Sequence, residues 1–241
     1  MKDNLKHIRH VVTTVGIVVG LALLPASSVS ADDDEQAGIY SPEENVFGMS
    51  YGDWSAAWWQ YVLSIETGAN PVFDTTGINC DIAQSSAPVF FLVGAGAEPV
   101  TRTCTVPAEK ALFIPIINVE CSTVEPAPFF GSTAQELRTC VARSINGVDE
   151  DTLKATIDGK SVQNLTDFRV QSPLFDFTLP AANNFFGLAG VTSGSSMSDG
   201  YWLMLKPLSP GNHVIHFEGV YVSGPAAGFS QNVTYNLIVK G

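Results

Sequence analysis

Residues 201–240, YWLMLKPLSPGNHVIHFEGVYVSGPAAGFSQNVTYNLIVK, read as three β-strands and their turns. The strands are expected at Tyr201–Lys206, Asn212–Val222 and Asn232–Lys240, with Pro210-Gly211 turning between the first two. In the last, Val233, Tyr235, Leu237 and Val239 alternate with polar residues, the period of a half-buried strand. Working back toward the N-terminus, Ser172–Leu179 alternates with Phe175, Phe177 and Leu179 on one face. Residues 187–200, GLAGVTSGSSMSDG, read as a long Gly/Ser loop. Asp158-Gly159 inside Leu153–Val162 is a hairpin signal. Ala111–Glu120, Val100–Val106 and Pro88–Val93 are further strands, the last a buried-type apolar run. The class is therefore mainly β, a sandwich or jelly roll with two helices packed outside.

The first helix is GDWSAAWWQYVLSIE, residues 52–66. Trp54, Trp58, Tyr61, Val62 and Ile65 form one apolar stripe at helical spacing. Ser50 and Asp53 make a capping pattern before it, and Ser41-Pro42-Glu43-Glu44 is a second helix-start signal. The other helix starts at Ser132 or Thr133, ends near Asn146-Gly147 and carries Leu137, Cys140, Val141 and Ile145 inward.

Composition narrows the function. The charge is −12, with 45% hydrophobic and 15% charged residues. That describes a folded globular chain, and it argues against nucleic acid or an anionic membrane as partner, because no basic patch is available. Lys2, Lys6 and Arg9 precede an apolar run, Val11–Leu24. Pro25 ends it, and Val29-Ser30-Ala31 offers small residues for cleavage. The run is shorter than the roughly 20 residues of a membrane span. The expectation is a signal peptide over 1–31 and one sandwich-like domain over 32–241, secreted or periplasmic, without a span in the mature part. Asp32–Glu35 is a solvated acidic start. The four cysteines, Cys80, Cys104, Cys121 and Cys140, then suggest two disulfides; sequential pairing closes the shortest loops. Without C-x-x-C or a nearby histidine, they do not read as a metal site.

Several pieces together resemble an uncharacterised family of exported bacterial proteins. They are W-x-x-x-W-W-x-Y (Trp54, Trp58, Trp59, Tyr61), NPVFDTTGINC, CTVPAEKALFIPIINVEC and SDGYWLMLKPLSPGNHVIHFEG. The resemblance spans most of 46–240 and implies an N-terminal Trp-rich helix on a β-sandwich-like body, but no activity. The P-L-S-P-G-x-H turn is also similar to the end of bacterial immunoglobulin-like modules, an analogy of fold alone.

The chemistry-bearing residues form no complete constellation. Gly48-Met49-Ser50-Tyr51-Gly52 matches G-x-S-x-G, but a nucleophile elbow needs a preceding strand and an α/β fold, so Ser50 reads better as a helix cap. His213 and His216 point to opposite faces of one strand, which separates them as ligands of one metal. Each reads as a core or surface histidine, or as an acid–base group working with Glu120 or Asp176. Glu120 and Asp176 could also form a glycosidase-type carboxylate pair. Asn146–Asp151, NGVDED, has oxygen ligands but not the order of a calcium loop. Asn164-Leu165-Thr166 and Asn232-Val233-Thr234 match the glycosylation sequon. Trp59 and Trp202 are the aromatic residues expected to face a ligand. The leading expectation is a non-catalytic exported protein, without metal or cofactor, that binds carbohydrate or another envelope component. The alternative is a secreted hydrolase, glycosidase-like or a Ser/His esterase.

Overall fold

A computed structural model describes residues 38–96 and 98–241. The expected leader and the acidic start lie outside the described residues. Alternating apolar residues build two five-stranded sheets. In chain order the strands are β1 (Val89–Phe91), β2 (Val100–Pro107), β3 (Ala111–Ser122), β4 (Val148–Ile157), β5 (Lys160–Ser161), β6 (Arg169–Gln171), β7 (Phe175–Thr178), β8 (Ser193–Leu205), β9 (Gly211–Tyr221) and β10 (Ser230–Lys240). Among the described residues the α-helices are α1 (Tyr51–Leu63) and α2 (Ala134–Ile145). The first sheet runs β1-β3-β8-β6, and β7 continues beyond β6 along the same edge of β8. The second runs β2-β10-β9-β4-β5. Two pairings are parallel, β1 with β3 and β2 with β10. The fold is mainly β with two sheets packed together, as expected of a sandwich.

Both helices start where their caps say. Ser50 and Asp53 form a reciprocal capping box on α1, and Thr133 accepts from the Glu136 N–H at the start of α2. Ser41–Glu44 makes only a turn, in which Glu44 N donates to Ser41 O at 3.0 Å. The α1 stripe is buried as read, from Trp54 through Ile65.

The first sheet is the middle layer. Along β8, Ser198 and Trp202 share the face that meets α1: Ser198 Oγ lies 3.2 Å from Ser55 Oγ, and the Trp202 ring meets Trp58. The opposite face carries Cys121, which is bonded to Cys140 of α2, and Ile117, which packs against Gly219 of β9. The disulfides pair Cys80 with Cys104 and Cys121 with Cys140, in the sequential order expected. They span separations of 24 and 19 residues. Each stabilises by about 3 kcal/mol on the loop-closure account. Two disulfides suit an oxidising compartment. Among the described residues, no helix is long and apolar enough to cross a membrane.

One expectation fails at the centre of the fold. Ser193–Gly200, read as part of a Gly/Ser loop, is the first half of β8, the strand between β3 and the β6/β7 edge. Its small residues answer to close packing. A Cβ on Gly200 would sit 2.4 Å from the Cβ of Asn118 across the pair. Ser196 and Ser198 are fully buried, and both are hydrogen-bonded. Val148–Asp151 of the oxygen-rich NGVDED stretch belongs to β4.

Candidate functional site

A cleft of about 570 Å³ opens beside β3, within the 300–1,000 Å³ that small-molecule sites commonly occupy. Its position follows from the short length of β1, which pairs with β3 only over Ala111–Phe113. At the far end, Ser122 exchanges backbone bonds with Phe129 and Gly131. Between them, among the described residues, no strand covers the β3 edge. Gln231 caps part of it, its Nε2 donating to Pro115 O and Ile116 O. The backbone N–H and C=O groups of Asn118 and Glu120 point the same way as those of Ser122, by the two-residue period of the strand, and so face the cleft.

One wall is aromatic: Trp58, Trp59, Phe73, Phe185 and Phe186. Trp59 meets Trp58 at 5.1 Å and Phe185 at 6.1 Å, both edge to face. The other wall comes from Tyr221 at the end of β9 and from Ala226 and Phe229 of the following loop. Arg102 holds the region behind Gly94 in place. It is fully buried, and its guanidinium donates to the carbonyls of Val72, Asp74, Val93 and Gly94 and to the Tyr235 hydroxyl.

Two carboxyls lie in this cleft, Glu120 and Glu125. Glu120 is buried at the open edge, and Ser196 Oγ donates to it. Glu125 follows the end of β3 and accepts from Ser122 Oγ at 3.0 Å. The two carboxyls hydrogen-bond each other. Burial, then the neighbouring charge of Glu125, pushes Glu120 well above the usual carboxylate range. Burial also raises Glu125, against the opposing effect of its hydrogen bonds from Glu120 and Ser122. Two touching carboxyls in an apolar setting retain a shared proton where separate ones would lose both.

The cleft also has an orphan polar atom. Trp59 Nε1 is buried with no hydrogen-bond partner among the described residues, whereas the likewise unpaired Tyr221 hydroxyl lies toward Asp199, Tyr201 and Arg169. An unpaired buried donor costs about 1–3 kcal/mol, and an incoming acceptor would recover it.

Most of the other sequence candidates lie elsewhere. Trp202, expected to face a ligand, is fully buried and stacks on Phe113 at 5.0 Å. Trp59 is itself only 8% exposed, but it lines the cleft. Asp176 accepts from Ser195 Oγ at 2.6 Å, and Glu120 from the next residue, Ser196. Consecutive strand residues face opposite sides of a sheet, and Asp176 lines a separate depression with Gln60 and Thr178. Ser50 is occupied as a helix cap. His213 pairs with Asp158 at 2.7 Å near the start of β9, the central strand of the second sheet. Burial opposes its charge, but the Asp158 contact and the Ser209 carbonyl raise its pKa overall. His216 Nε2 lies 3.5 Å from Glu218, on the outer side of β9. Among the described residues, no group of three or more His, Cys, Asp or Glu is placed to hold a metal. Glu125 was missed in the sequence because its partner Glu120 meets it only through the turn after β3.

Compared with known proteins, the chain matches no family model, no curated protein and no solved structure.

Proposed function

We propose that this is an exported, non-catalytic protein that binds carbohydrate of the cell envelope in the cleft beside β3. The observation that carries the reading is the combination of an aromatic wall with polar groups placed along the open strand edge. Flat rings cover the C–H face of a sugar, while carboxyls, backbone groups and the Trp59 N–H serve its hydroxyls. The apolar stretch at residues 11–24 and the two disulfides support export.

The hydrolase reading fares less well. Retaining glycosidases hold their carboxyls about 5–5.5 Å apart, and inverting ones farther, so that a sugar or water fits between. Glu120 and Glu125 instead interact directly with each other, and among the described residues no histidine lines the cleft with them.

The test is a glycan panel read by intrinsic tryptophan fluorescence on protein purified from its native compartment. Trp58 and Trp59 report on the cleft directly. A saturable change with at least one glycan, absent in Trp59→Ala, is expected. A folded protein that answers to none of them overturns the reading. Turnover of chromogenic glycosides would instead favour the hydrolase.

A further inference from the structure

We propose that the sugar taken by this cleft carries a free amine, held as an ammonium by the Glu120–Glu125 pair. This rests on the carbohydrate reading and narrows it to amino sugars.

Charge is the first argument. Among the described residues lining the cleft, only Glu120, Glu125 and Tyr221 titrate, and none is Lys, Arg or His. Arg102 stands behind the Gly94 wall with its guanidinium directed at carbonyls and the Tyr235 hydroxyl. A neutral sugar would leave the two carboxyls sharing one proton against each other. An ammonium supplies three donors and a positive charge, so both carboxyls can ionise around it. The aromatic wall adds to the attraction, because ring faces are negative and favour a cation lying over them.

The orphan donor supplies the second argument. Trp59 Nε1 lacks an acceptor among the described residues. A simple alkylamine brings donors only and would leave it unpaired. An amino sugar brings hydroxyl and ring oxygens as acceptors, an ammonium for the carboxyls, and an apolar C–H face for the rings. The lining asks for all three on one small molecule. Phe73 and Phe185 are incompletely buried, so the aromatic wall can turn to admit an acceptor beside Trp59.

The experiment titrates the full protein by calorimetry and tryptophan fluorescence with three probes of equal length: glucosamine oligomers, N-acetylglucosamine oligomers and glucose oligomers. Near pH 6, where the amine is charged, glucosamine oligomers should bind about tenfold or more tighter than the other two. Glu125→Gln, at a partly buried position on the turn after β3, should remove most of that preference, as should Glu120→Gln. The preference should also shrink as the pH falls and both carboxyls become protonated. Equal binding of all three sugars, or a preference that survives Glu125→Gln, overturns the amine while leaving carbohydrate binding in place. No binding of any sugar by the folded protein overturns both. Capture of a basic extended peptide by the open β3 edge in place of the sugars would also overturn the proposal.

Discussion

Trp58 Nε1 donates to the Leu92 carbonyl at 2.7 Å, tying the middle of α1 to the end of β1. Its neighbour Trp59 has no such partner among the described residues. The two indoles therefore answer differently to the same substitution. Trp58→Phe keeps most of the ring but leaves a buried carbonyl unpaired, at about 1–3 kcal/mol. Trp59→Phe removes an N–H that was unpaired already and should cost less. Trp58→Ala loses burial as well and should cost about 3–5 kcal/mol. Paired thermal melts check this; equal melting temperatures for the two Phe variants would mean that the Leu92 bond contributes nothing.

Arg102 should be intolerant even of lysine. Its planar fork reaches four carbonyls and a hydroxyl in different directions, and an ammonium has only three donors. Arg102→Lys should destabilise by about 3 kcal/mol or more, by the scale of charged hydrogen bonds lost in a buried site. Chemical denaturation measures it. Because the same residue braces Val72 and Gly94, ligand affinity should fall along with stability.

The carboxyl pair makes stability depend on pH in a definite direction. Glu120 has a raised pKa in the fold, so the folded state holds its proton more tightly than the unfolded chain. Its favourable contribution is complete below the unfolded value of about 4.3 and is lost as pH rises through the folded value. Glu120→Gln mimics the protonated form and should flatten that decline. Melting temperatures from about pH 4 upward, compared with the parent, give the slope. A parallel pH profile in the variant would place the titration on some other group.

The Cys121–Cys140 bond joins the end of β3 to α2. Replacing both cysteines with serine should cost about 2–5 kcal/mol. Glu125 lies on the turn leaving β3, so ligand binding should weaken too. Non-reducing peptide maps should show the linked pair, and four free thiols in native material would remove the basis for export as well as for the pairing.

Local pattern alone determined a good part of this protein. Val233, Tyr235, Leu237 and Val239 alternate in β10 and are buried as read, because a half-buried strand must alternate. Ser50 and Asp53 capped α1 as their spacing requires, and Cys121 with Cys140 closed the short loop. These are interactions between neighbours in sequence or consequences of one period. The central position of Ser193–Gly200 was invisible, because glycine and serine there serve contacts with Asn118 and α1 that only pairing creates. The burial of Trp202 was likewise decided by what lies over its face. The cleft was also beyond reach. It exists because β1 stops after Phe91 and leaves part of the β3 edge uncovered. Glu120 meets Glu125 only across the turn that follows. A residue's partners across a sheet are set by strand order and register, and one strand's periodicity carries no record of either.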